Sequence, residues 1–259
     1  MVMGKGGVGK TTVAAAIAVG LVKRGHAVHL STTDPAAHVA TTIEGGMEGL
    51  RVDRIDPKAE TRNYIDKIMA TRGAHMDKSG RALLLEDLQS PCTEEVAVFH
   101  AFSRTVAEAR AAYVVLDTAP TGHTLLLMDA TGAYHRQMLR DVSASGSPGR
   151  AVTPLMRLQE PDYTQIILVT LPETTPVSEA AALQDDLRRA DIDPYAWVIN
   201  RSLAAAGTSD PLLVKRTERE RVQIDRVRSG LARRLFLIGL QADPPVGLAA
   251  LERLGAEST

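Results

Sequence analysis

Gly4-Lys5-Gly6-Gly7-Val8-Gly9-Lys10-Thr11, inside the opening run MVMGKGGVGKTT (residues 1–12), decides the fold. It fits the pattern G-x-x-x-x-G-K-[ST]. The glycines let successive backbone N–H groups turn inward around phosphate oxygens. Lys10 is placed to reach the β and γ phosphates of a nucleotide, and the Thr11 hydroxyl to ligate Mg²⁺. The context agrees with the motif. Val2-Met3 is the stump of a strand, and TVAAAIAVGLVKR (residues 12–24) is an Ala-rich helix with Gly25 at its C-terminal end. Gly4, Lys5, Gly6, Gly7, Val8, Gly9, Lys10, Thr11 and Thr12 are therefore candidate nucleotide contacts.

Outward from the loop, strands and helices alternate. HAVHLST (26–32) and LRVDRID (50–56) read as strands, with a turn expected at Asp56-Pro57. Residues 59–112 read as a helical insertion in pieces, punctuated at Gly73 and Gly80 and interrupted at SPCTEE. Ser90-Pro91 has the form of a helix start, with Glu94 and Glu95 in the first turn. YVVLD (113–117), QIILVTL (165–171), YAWVIN (195–200) and RLFLIGL (234–240) are further strands, and PVSEAAALQDDLRRA (176–190) is a helix. HTLLLMDATGAYHRQM (123–138) reads as a loop and helix. The small, polar run RDVSASGSPGRAVTP (140–154) reads as a mobile loop. This alternation predicts an α/β fold, a three-layer α/β/α sandwich around a mostly parallel sheet. Residues 1–259 are expected to form a single domain.

Composition excludes several classes. The net charge of -1 gives no reason to expect nucleic acid or an anionic membrane as the main partner. The Arg-rich run VKRTERERVQIDRVRSGLARR (214–234) carries interspersed acids and reads as a solvated helix face. Cys92 is the one cysteine, so no disulfide can form within the chain, and a reducing, cytoplasmic setting is expected. No apolar run approaches bilayer length, and no secretory signal opens the chain.

Carboxylates and amides at strand ends complete the nucleotide site, because ligands of open α/β sheets bind at the C-terminal ends of strands. Asp117 ends YVVLD and can hold a Mg²⁺-bound water. Asp34, after the second strand, can orient an attacking water, or it can simply form an Asp-Pro turn. Asn200 ends YAWVIN, where an amide can pair with the adenine edge; the alternative is a plain turn residue. Pro244, in QADPP, would lie near the base.

The early lysine extends the reading. GKGGVGKT resembles the deviant phosphate loop of the family that includes MinD, ParA, nitrogenase iron protein and the arsenical-pump ATPases. The resemblance implies that Lys5 reaches across to a partner domain's nucleotide, and so implies a face-to-face pair. The alternative for Lys5 is a solvated loop lysine. DTAPTGHT (117–124), DPAAH, EDLQSPCTEE, LVTLPETTPV and VINRSL further resemble the arsenite-pump and tail-anchored-protein-targeting ATPases, and most of all the C-terminal half of the arsenical-pump type. That resemblance implies ATP hydrolysis with Mg²⁺, coupled to As(III) or Sb(III) binding. It implies a second homologous ATPase domain (another half or a homodimer), a membrane arsenite efflux protein and a metallochaperone. The location would be cytoplasmic, peripheral to the membrane through the pump.

As(III) and Sb(III) are soft ions that suit thiolate and imidazole. Cys92, His123 and Ser90 match family metalloid positions. The alternatives are a buried small hydrophobe for Cys92, a switch or packing histidine for His123 and a helix cap for Ser90. One cysteine cannot clamp a metalloid by itself, so a second surface must add sulfur. A strand stump on a chain that resembles half of a doubled protein points to a fragment or a split half.

The rival function is a targeting factor for tail-anchored membrane proteins. Its frequent C-x-x-C zinc pair has no counterpart here, since no cysteine follows Cys92. A partitioning ATPase is a weaker rival: the C-terminus LAALERLGAEST supplies neither a membrane helix nor a basic patch.

Overall fold

The computed structural model describes residues 1–34, 42–43, 46–109, 111–118 and 154–256, without the side chains of residues 91, 92, 95, 154 and 256. Its centre is a seven-stranded sheet in the order β3-β2-β4-β1-β5-β6-β7, with every neighbouring pair parallel. The strands are β1 (Val2–Met3), β2 (Val28–Thr32), β3 (Leu50–Arg54), β4 (Tyr113–Asp117), β5 (Ile167–Thr170), β6 (Ala196–Ser202) and β7 (Leu235–Gly239). The helices are α1 (Lys10–Lys23), α2 (Pro57–Thr71), α3 (Lys78–Asp87), α4 (Pro91–Glu108), α5 (Pro154–Gln159), α6 (Thr174–Arg189), α7 (Leu203–Ala206), α8 (Pro211–Gly230) and α9 (Leu248–Ala256). This is the expected α/β/α sandwich.

Strand periodicity explains the two cores. Successive side chains point to opposite faces, so adjacent residues feed different layers. Val2, Val115, Val169 and Val198 join Val13, Ala14 and Leu251 of α1 and α9 on one face. Met3, Leu116, Leu168 and Trp197 join Phe102, Leu187 and Val227 of α4, α6 and α8 on the other. Both faces are dry, which is why these strands read as apolar runs rather than as alternating ones. The indole of Trp197 donates to Gln184 Oε1 at 2.8 Å, so its buried N–H is satisfied.

Two local expectations are corrected. Asp56-Pro57 is a helix start, not a turn: Asp56 Oδ1 accepts from Lys58 N at 2.9 Å and Ala59 N at 3.3 Å, and Pro57 opens α2. Gly80 does not break a helix. It lies in the first turn of α3 and donates its N–H to the cap, Asp77 Oδ1, at 2.8 Å. Gly73 does punctuate, opening a short 3-10 turn over Gly73–His75. Ser90-Pro91 does start α4, with Ser90 at the capping position, although its side chain makes no cap hydrogen bond. The segments 123–138 and 140–153 lie outside the described residues. Among the described residues no helix is long and apolar enough to cross a membrane.

Candidate functional site

The glycine loop joins β1 to α1 at the C-terminal edge of the sheet. Two of its glycines are required by contact. Gly4 has φ of 148°, and a Cβ there would fall 2.3 Å from the Val169 carbonyl oxygen. Gly9 has φ of 93°, and its Cβ would fall 2.2 Å from Asn200 Nδ2. Both are backbone conformations that L side chains rarely adopt. The loop is thus packed directly on β5 and β6.

Lys10 opens α1 and is 4% exposed. Its Nζ donates to the Lys5 carbonyl oxygen at 3.0 Å. Burial holds its pKa below the usual lysine value, opposed by the nearby carboxylates of Asp117 and Asp34. Asp117, at the end of β4, is fully buried. Its Oδ2 accepts from Thr11 Oγ1 at 2.8 Å and from Thr32 Oγ1 at 3.1 Å. Burial raises its pKa, while the two threonine bonds and Lys10 pull it down. Asp117 Oδ1 is buried with no hydrogen-bond partner among the described residues.

That orphaned oxygen is the test for a metal. A carboxylate oxygen without a donor, on the same carboxylate that holds the Thr11 hydroxyl, fits a hard divalent cation that takes oxygen ligands. Among the described residues no cluster of three or more His, Cys, Asp or Glu side chains could hold a metal. Thr11 and Asp117 would therefore share the cation with phosphates and water, as Mg²⁺ prefers.

Asp34 is partly buried, two residues beyond β2, and its N–H donates to Thr32 Oγ1 at 3.1 Å. Its charge acts on both Lys10 and Asp117. The structure thus brings Lys10, Thr11, Asp34 and Asp117 to one locus.

A cleft of about 330 Å³ adjoins the loop, lined by Thr12, Asn200, Arg201, Asp243, Pro244 and Pro245 among others. Asn200 and Pro244 do meet there. The Asn200 amide is already engaged, however: Nδ2 donates to the Val8 carbonyl at 2.9 Å, and Oδ1 accepts from Arg201 N at 2.9 Å. Each of these groups keeps one further donor or acceptor position for a base. Arg201 has φ of 57°, a left-handed turn that Asn200 Oδ1 stabilises.

Lys5 is half-exposed, and its Nζ lies 2.6 Å from Glu179 Oε1. Cys92 lies in the first turn of α4, but its side chain and the whole of His123 fall outside the described residues. Ser90 Oγ is 3.2 Å from Thr93 Oγ1 and makes no cap bond to the backbone. Sequence reasoning missed Thr32 and Glu179. Thr32 could have been found as the hydroxyl that ends the strand just before Asp34. Glu179 gave no signal, being one acid among many on an amphipathic helix.

The matches to known proteins point the same way. Residues 1–158 fit the model of the family described as anion-transporting ATPase. The chain is 55% identical over 254 residues to the arsenical pump-driving ATPase of Acidiphilium multivorum, covering 98% of this chain and 43% of that protein. It is 54% identical to an Escherichia coli protein of the same name, with the same coverage. A putative arsenical pump-driving ATPase 2 of Aquifex aeolicus is 31% identical, covering 84% of each chain. The chain therefore spans less than half the length of the first two relatives.

Proposed function

Because the chain belongs to the anion-transporting ATPase family, we propose that it binds Mg-ATP at the glycine loop and hydrolyses it as one of two paired domains. Hydrolysis is coupled to As(III) or Sb(III) binding and to delivery to a membrane efflux protein. One observation carries the reading: Lys10, Thr11 and Asp117 converge beside a cleft that holds Asn200 and Pro244.

Lys10 leaves the Lys5 carbonyl for the β and γ phosphates, where a buried ammonium meets little solvent competition. Thr32 fixes the rotamer of Asp117, so its free oxygen keeps one direction. Bound Mg²⁺ would neutralise charge on the phosphates and shield the leaving oxygen. Asp34 accepts a hydrogen bond from the attacking water and aims it in line with the γ-phosphate. Asn200 and Pro244 seat the base. Lys5 completes the partner domain's site, supplying positive charge as a finger does. Thiolate and imidazole from Cys92 and His123, with Ser90, form the metalloid site together with the paired domain. A metallochaperone would load it, on the cytoplasmic side.

The identity of 54–55% to proteins named as arsenical pump-driving ATPases supports this reading over a targeting factor for membrane-protein tails. The test is the ATPase rate with and without antimonite, together with the mass of the assembly in ATP. Stimulation that Cys92→Ser removes, with basal turnover intact, is expected. Stimulation that survives Cys92→Ser removes the metalloid assignment. Co-purification of a transmembrane segment, without antimonite response, would favour the targeting reading.

A further inference from the structure

Lys5 is held in two ways. Its carbonyl accepts from Lys10 Nζ at 3.0 Å, and its own ammonium reaches α6, 2.6 Å from Glu179 Oε1. Glu179 Oε2 is buried with no hydrogen-bond partner among the described residues, so the Lys5 ammonium is the one donor that this carboxylate has there. The flanking glycines, Gly4 and Gly6, contribute no side chain that could screen the pair. A lysine proposed to act on another domain's phosphates is thus tied to its own domain.

We propose that Glu179 is the positioning residue for Lys5: it parks the ammonium on α6 and gives it up when a second domain docks. The inference rests on the in-trans reading of Lys5. Breaking the contact opposes pairing, because it leaves Glu179 without its cation. The opposition is small, since both partners are exposed to about the same degree, 45% and 40%. Half-exposed ion pairs support a bias of roughly two- to five-fold in an equilibrium constant. That size suits a contact that must yield at each pairing. Glu179 touches neither the loop N–H groups nor the cleft, so its effect belongs to pairing and not to nucleotide affinity.

The full chain is compared with Glu179→Gln, Glu179→Asp and Lys5→Ala. First, limited acetylation without nucleotide is read at each lysine by peptide mass spectrometry. Lys5 should react about two- to five-fold faster in Glu179→Gln. Glu179→Asp should restore part of the protection. Lys23, paired with Glu252 at 3.2 Å, serves as the internal control and should not change. Second, self-association is measured by sedimentation with Mg²⁺ and the β,γ-imido analogue of ATP. Because two such contacts break per pair, Glu179→Gln should pair at a roughly 4- to 25-fold lower concentration, with KM for ATP unchanged. Unchanged Lys5 reactivity overturns the proposal. So does raised reactivity with equal or weaker association, including the case in which both proteins stay monomeric. Lys5→Ala separates the two ideas. If it associates and turns over like the wild type, the in-trans role of Lys5 fails whatever Glu179→Gln does.

Discussion

The Thr11 hydroxyl donates to Asp117 Oδ2 across 2.8 Å, tying the first turn of α1 to the end of β4, 106 positions away in sequence. The contact sets a hydroxyl against a buried carboxylate whose second oxygen has no hydrogen-bond partner among the described residues. Asp117→Asn keeps the shape and an acceptor for Thr11 but removes the charge. Mg²⁺-dependent nucleotide binding should weaken by about 10- to 100-fold, the range seen when metal-site partners are lost. Titration of Mg²⁺ against a fluorescent ATP analogue measures it. Unaltered Mg²⁺ dependence would remove Asp117 from the site.

Asp34→Asn should retain ATP binding and lose turnover, because a neutral amide accepts the water's hydrogen bond far more weakly than a carboxylate and its NH₂ can present a donor instead. Single-turnover hydrolysis beside equilibrium nucleotide binding separates the two effects. Wild-type turnover in this variant removes Asp34 from the mechanism.

Burial raises the pKa of Asp117 above its ordinary 3.8. Protons therefore compete with Mg²⁺ at a higher pH than at an ordinary carboxylate, and Mg²⁺ affinity should fall earlier on acidification. The stability sign is the opposite of a salt-bridged acid. The folded state binds this proton more tightly than the unfolded chain, so stability falls as pH rises through the window above 3.8. Lys10 has a lowered pKa, so the unfolded chain binds its proton more tightly. Its contribution rises with pH in the window just below 10.5. Asp117→Asn should flatten the acid-side dependence in pH-resolved urea unfolding. An identical profile in that variant would contradict the assignment.

Gly9→Ala should cost more than the usual loop substitution. It combines a left-handed φ with a methyl 2.2 Å from Asn200 Nδ2. A loss of about 2–3 kcal/mol is expected, from backbone strain of about 1–2 kcal/mol and a displaced amide bond of about 1 kcal/mol. Nucleotide binding should fall with it, since Asn200 would release the Val8 carbonyl. Urea unfolding and nucleotide titration check both. Gly7→Ala, with open space around its Cβ, should perturb Asn200 less.

His29 is buried on β2 with Nδ1 2.8 Å from Glu108 Oε2 and Nε2 2.7 Å from Asp53 Oδ2. Arg51 reaches Asp53 at 3.2 Å. His29→Leu should lower unfolding free energy by about 1–3 kcal/mol, because Glu108 and Asp53 lose the ring that bridges them. A shifted urea midpoint with unchanged KM for ATP is the expected pattern.

The glycine loop and the strand-end carboxylate were legible because they are local patterns. Lys10, Thr11 and Asp117 each follow from neighbours within a few positions, and the sheet then brings their strand ends together. Asp56-Pro57 misled because a capping Asp before Pro reads equally as a turn; only the N–H groups of Lys58 and Ala59 decide. Glu179 stayed hidden because nothing near it in sequence shows that α6 packs beside the loop. Cys92 and His123 were singled out by resemblance alone, and the Cys92 side chain and all of His123 lie outside the described residues.

The sequence by itself determined the parallel α/β class, the glycine loop and the strand-end Asp117 that meets Thr11 beside it. These depend on period and spacing, which are properties of a short stretch of chain. Only the tertiary structure decided that Asn200 braces the Val8 carbonyl, that Thr32 shares Asp117 with Thr11, and that Lys5 rests on Glu179. Those contacts join residues from 85 to 192 positions apart. They are set by strand order and by which helix covers which strand, and no local pattern records either.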